Sequence, residues 1–103
     1  MATNIAYETL DRFTRATLQS VGVPEADAVL VADCLLYANL SGVDSHGIVR
    51  LPHYVRRLRN GTINPQPSIS FDTPRPAVLR VDGNDGLGHV ITSRAVERGT
   101  ELV

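Results

Sequence analysis

The chain has 103 residues, of which 43% are hydrophobic and 20% charged, and its formal net charge is −1. That length suits one domain, and the near-neutral balance gives no global attraction to nucleic acid or to an anionic membrane surface. All ten basic residues are arginine, which excludes a Schiff base or a lysine general base from this chain, and the lone cysteine, Cys34, excludes an internal disulfide.

The N-terminal MATNIAYETLDR has no basic start followed by an apolar core, so no secretory signal is read there. The stretch IAYETLDRFTRATLQSVGVP, residues 5–24, predicts a helix. Ala6, Leu10, Phe13 and Thr17 recur at helical spacing and define its inner face, with Asp11, Arg12 and Arg15 opposite. Thr3 or Asn4 is the expected cap, and Gly22 with Pro24 the stop.

PEADAVLVADCLLYANL, residues 24–40, predicts a second helix with Pro24 and Glu25 in its first turn. It is apolar almost all round, from Ala26 through Val31 and Leu35 to Leu40, and Cys34 reads as a small buried hydrophobe within it. Such a helix needs cover on several sides. Three helices and a hairpin supply that poorly, so the sequence points to an oligomer or to further protein. No apolar run reaches the length of a membrane span, and a reducing, cytoplasmic setting is expected.

Ser41 and Gly42 end that helix, and DSHG opens a third expected to run from Asp44 to about Asn60–Gly61, with Gly61 just past its end. SISF (68–71) and AVLRVD (77–82) are β-like runs joined by DTPRP, a hairpin. GNDGLG (83–88) is a loop, and from His89 the helical pattern resumes through Val90, Ala95, Val96 and Leu102. Nothing closes that pattern before Val103, which reads as part of a longer protein.

The chemistry concentrates in GVDSHGIVRLPHYVRRL, residues 42–58. On one continuous helix, at about 100° per residue, His46, Arg50, His53, Tyr54 and Arg57 share one face, while Ile48, Leu51, Val55 and Leu58 share the other. Pro52 complicates this register, because an interior proline removes a backbone hydrogen bond and kinks the helix. Ser45 or Asp44 can cap the first turn. The positive end of a helix would disfavour an imidazolium at His46, a serine beside it can orient the ring, and Arg50 offers a fork for a carboxylate. Tyr54 adds a phenol and an aromatic wall. The plain alternative is a structural cap with solvated arginines behind it. His53 and His89 read as polar surface. GNDGLGH matches neither glycine-rich phosphate motif, so a tight strand-to-helix connection is its simplest reading.

The strings GVDSHGIVRLPHYVRRLRNGTINPQP and VDGNDGLGHVITSRAVE resemble the start of the malate/L-lactate dehydrogenase family of NAD(P)-dependent oxidoreductases, whose fold is not of the Rossmann type. That family includes ureidoglycolate and sulfolactate dehydrogenases and piperideine-2-carboxylate reductases. The resemblance covers essentially the whole chain. It implies His46 as the catalytic acid/base, Ser45 as its assistant, Arg50 as the grip on a substrate carboxylate and Tyr54 as a further wall of the substrate pocket. It also implies NAD or NADP as cofactor, a 2-oxo/2-hydroxy acid as substrate, and a homodimer. Family enzymes are much longer, so their cofactor-binding domain and remaining catalytic residues fall beyond residue 103. At His89 the family often has glutamine, a departure that weakens any special role there.

The expected fold is α/β, of α+β composition over these residues. A helical segment (1–61) would carry the Ser–His motif, and 62–103 would begin an α/β catalytic or cofactor domain. No metal-ligating cluster is expected. The rival reading is a small helical nucleic-acid-binding module, since residues 45–71 hold four arginines and no acid. The scatter of Arg50, Arg56, Arg57 and Arg59 around the wheel, and Pro52 within it, speak against such a module.

Overall fold

The computed structural model describes residues 4–102. Four α-helices and one antiparallel hairpin follow in order: α1 (Tyr7–Ser20), α2 (Glu25–Leu40), α3 (Leu51–Arg59), β1 (Ser70–Arg75), β2 (Val78–Asp82) and α4 (Gly88–Thr100). Two 3₁₀ turns, Asp44–His46 and Ile48–Arg50, lie between α2 and α3. The α+β reading holds.

α2 is the central element. Ala28, Val31, Ala32, Leu35 and Leu36 are all buried, with α1 on one side and α4 on another. They join Leu18, Val23, Leu51, Leu58, Leu87 and Val90, so the segments 1–61 and 62–103 feed one core. Each such leucine or valine contributes about 1.5–3 kcal/mol by leaving water. The cover is incomplete: Tyr37 and Leu40 remain 73% exposed. Cys34 is half-buried, at the rim of this core.

Both α1 and α2 end the same way. Gly22 and Gly42 take positive φ, and the next residue's N–H reaches back to a carbonyl of the last turn: Val23 N to Leu18 O at 3.1 Å, Val43 N to Ala38 O at 2.8 Å. This is the glycine-terminated cap that satisfies carbonyls left open at a helix end. It turns the chain sharply out of α2 into the DSHG segment.

Three local expectations are corrected. Ala6, not Asn4, sits at the start of α1, and its carbonyl accepts from Thr9 and Leu10; Thr3 lies outside the described residues. The inner stripe of α1 runs through half-buried Leu10 to Thr14 and Leu18, leaving Phe13 58% exposed. Thr14 tolerates full burial because its hydroxyl donates to the Leu10 carbonyl at 2.7 Å. Pro24 precedes α2 as its cap residue and is not part of the first turn.

The hairpin turns at Pro76–Ala77, later than DTPRP suggested, so Asp72–Arg75 extend β1. Its register pairs Phe71 with Val81 and Asp72 with Arg80, with an irregularity between Asp72 and Arg75. Pro74 falls in that irregular stretch, where a proline costs no ladder hydrogen bond. No described helix is long and apolar enough to cross a membrane.

Candidate active site

The DSHG segment is not the start of a helix. The expected helix over 44–60 is three pieces, and only Leu51–Arg59 is α-helical. Gly47, at φ −96° and ψ −147°, separates the two 3₁₀ turns. Pro52 therefore stands in the first turn of α3, where its missing N–H breaks no bond, and it kinks nothing. The single wheel over 46–58 falls with the helix, and so does the dipole at His46, because a three-residue turn has no aligned stack of peptides. Neither Ser45 nor Asp44 caps a helix with its side chain.

The break presents Ser45, His46 and Arg50 together on exposed surface. Ser45 Oγ lies 2.9 Å from His46 Nδ1. Arg50 Nε donates to the Ser45 carbonyl at 2.8 Å. Nδ1 is thus engaged with Ser45, and Nε2 is the other ring nitrogen. The backbone of the pair is held by His46 N to Val43 O and Gly47 N to Asp44 O, both at 3.1 Å. Asn39, in the last turn of α2, donates from Nδ2 to Asp44 Oδ1 at 3.0 Å and accepts from Ile48 N–H at Oδ1 at 2.8 Å.

Tyr54 is placed elsewhere. It lines a cleft of about 850 Å³ between α2, α3 and α4, with Leu30, Cys34, Ile63, His89 and Val96. None of Ser45, His46 and Arg50 lines that cleft. The Tyr54 ring meets His53 and His89 edge-on, with centroids 5.9 and 5.6 Å apart. His89 is half-buried in the cleft and is not the exposed polar residue expected. Its Nδ1 is buried without a hydrogen-bond partner, and burial holds the imidazole below its ordinary pKa. Burial, and then the charge of Asp33, push the Cys34 thiol up, away from a reactive thiolate.

The glycine loop is a connection. Asn84 and Asp85 take positive φ, and Gly86 N–H donates to Gly83 O. Asn84 Oδ1 accepts from Asn64 Nδ2 and from Ser68 N–H, at 3.0 and 2.9 Å. These bonds tie the loop to residues 64–68.

Asn39 and the placement of His89 are what sequence reasoning missed. Asn39 had one signal, being the only amide side chain of α2, set among Leu36, Tyr37, Ala38 and Leu40 at its end. His89 had none, because its burial depends on α3.

Residues 5–103 match the family described as malate/L-lactate dehydrogenase. The chain is 45% identical over 80 residues to an L-sulfolactate dehydrogenase of Methanocaldococcus jannaschii, covering 78% of this chain and 23% of that protein. It is 40% identical over 93 residues to a malate dehydrogenase of Pyrococcus horikoshii, covering 90% and 26%. The crystal structure of a dehydrogenase from Sinorhizobium meliloti superposes with a TM-score of 0.93 at 35% identity, over 97% of this chain and 31% of that one. The chain thus spans about a quarter of the length of the curated relatives it matches.

Proposed function

The chain belongs to the malate/L-lactate dehydrogenase family, and from that premise we propose that it carries the substrate side of an active site interconverting a 2-oxo acid and its 2-hydroxy acid with NAD or NADP. The observation that carries this reading is the hydrogen-bonded Ser45–His46 pair on the same exposed turn as Arg50.

Reduction of a 2-oxo acid needs hydride at the carbonyl carbon, which NAD(P)H supplies. The carbonyl oxygen then gathers negative charge and needs a proton. His46 donates it from Nε2 and takes it back in the oxidative direction, as a general acid and base. Ser45 holds the ring by its hydrogen bond to Nδ1. Arg50 grips the substrate carboxylate and so decides which carbon is presented. Tyr54 belongs to the wall of the neighbouring apolar cleft and reaches the substrate only if the ligand extends there. The cofactor is assigned to no residue of this chain. Exposed Tyr37 and Leu40 are the surface that a homodimer would cover, and the working compartment is the cytoplasm.

The test is turnover by the full-length protein of pyruvate, oxaloacetate and 3-sulfopyruvate with NADH and with NADPH. His46→Ala lowers kcat by roughly 10²-fold or more, the scale of a lost general acid, with cofactor Kd unchanged. Turnover of none of the three acids, or a normal kcat for His46→Ala, defeats the reading.

A further inference from the structure

We infer that Asn39 is a positioning residue for the Ser45–His46 pair, holding the turn that carries them to the core helix α2; this rests on the function proposed above. One amide spans the whole turn. Its Nδ2 donates to Asp44 Oδ1 at 3.0 Å at the entrance, and its Oδ1 accepts from Ile48 N–H at 2.8 Å at the exit. Chemistry fixes the orientation of that amide, since a carboxylate only accepts and a backbone N–H only donates. Between the two anchors stand Ser45, His46 and Gly47.

Gly47 is shaped to receive the amide. A Cβ built there would lie 2.6 Å from Asn39 Nδ2 and closer still to Oδ1. The position is buried although its neighbours Ser45 and His46 are exposed. The turn therefore closes around Asn39, which takes the place a side chain at residue 47 would occupy.

Asn39 is not needed to finish α2. The end of that helix is satisfied by backbone bonds, Val43 N to Ala38 O and Gly42 N to Asn39 O. The side-chain amide is spent wholly on the DSHG turn. Arg50 Nε braces the same turn from its far side, on the Ser45 carbonyl, but among the described residues only Asn39 ties it to a core helix. Short 3₁₀ turns hold by single i→i+3 bonds of poor geometry, and the Ser45 and His46 side chains are exposed. A general acid must stand within about 2.6–3.2 Å of the atom it protonates. Tying the turn to α2, the most buried helix, transfers the rigidity of the core to His46.

The test is a double-mutant cycle in the full-length protein, with the three 2-oxo acids named above as probe substrates at saturation. Asn39→Ala lowers kcat roughly 10- to 100-fold, the scale of a misplaced catalytic group, while cofactor Kd stays at its wild-type value. In a His46→Ala background the same change has almost no further effect on kcat, because there is no acid left to misplace. A full additional loss there shows a general structural role and overturns the inference, as does a wild-type kcat for Asn39→Ala alongside a slow His46→Ala. A wild-type kcat for His46→Ala defeats the proposed function instead, so the two failures are distinct. Should Asn39→Ala fail to fold, exposed Asp44 decides. Asp44→Ala removes the acceptor at the entrance and lowers kcat, and Asp44→Asn, whose amide oxygen still accepts from Asn39, recovers most of it. A wild-type kcat for Asp44→Ala overturns the inference.

Discussion

Arg50 turns its Nε back onto the carbonyl of Ser45, 2.8 Å away. One residue both braces the turn that carries His46 and offers charge beside it. With Nε occupied, the two Nη nitrogens remain to meet a carboxylate end-on. A lysine keeps the charge but has neither the planar fork nor a second nitrogen to hold the carbonyl. In the full-length protein Arg50→Lys therefore raises KM for the 2-oxo acid by roughly tenfold or more, the scale of a charge-assisted hydrogen bond, and lowers kcat as well. Arg57→Lys, on exposed α3 surface, is the control and changes both by little. Steady-state kinetics on the two variants checks this; equal behaviour removes Arg50 as the carboxylate grip.

Two glycines give opposite outcomes for one substitution. Gly47→Ala drives a methyl group into the Asn39 amide and destabilises the protein by about 1–3 kcal/mol, as overpacking does. Gly88, the first residue of α4, has nothing within 4 Å of a built Cβ, so Gly88→Ala is neutral or stabilising by up to about 1 kcal/mol. Denaturant unfolding of the two variants measures the difference, and a stabilised Gly47→Ala would contradict the close approach.

Asp27 and Arg94 join the start of α2 to α4 at 3.1 Å. Asp27 is 8% exposed, whereas the Arg94 side chain is 47% exposed. Removing the arginine strands a buried carboxylate, while removing the carboxylate lets the arginine return to water. Arg94→Ala is therefore the more harmful change, at about 1–3 kcal/mol, and Asp27→Asn, which can still accept from Arg94, is the milder one. Thermal unfolding ranks them, and the reverse order would show that the pair does not bind α4 to α2.

His89 makes stability depend on pH. Burial holds its pKa below the ordinary 6.5, so the unfolded chain takes up a proton more readily than the folded one. The folded state is then favoured fully above 6.5, and that stability declines as pH falls from 6.5 toward the lower folded value. His89→Gln removes the titration. Between about pH 8 and about pH 5 the melting temperature falls less steeply for the variant than for the unaltered protein, and parallel profiles would rule out a buried neutral His89.

Much of the architecture was legible because it is local. Gly22 and Gly42 end α1 and α2, apolar periodicity marks the helices, and two short β-like runs form the hairpin. The proximity of Ser45 and His46 follows from their being neighbours in sequence. The resemblance carried by DSHGIVRLPHY named the family that the comparisons then matched over residues 5–103.

The tertiary structure decided what depends on partners distant in sequence. The apolar spacing of α1 allowed either Phe13 or Thr14 to face inward, and packing against α2 chose Thr14. Helical propensity in 44–60 was continuous enough to suggest one helix. The chain instead breaks at Gly47, and the Ile48 N–H goes to the amide of Asn39, nine residues earlier. Tyr54 meets His89, and Asp27 meets Arg94 from 67 residues away. Sequence determined which side chains could do chemistry, since residue type and short-range spacing are carried by the chain itself. Which of them face one another was set only when distant backbone closed around them, because hydrogen bonds and burial depend on distance in space.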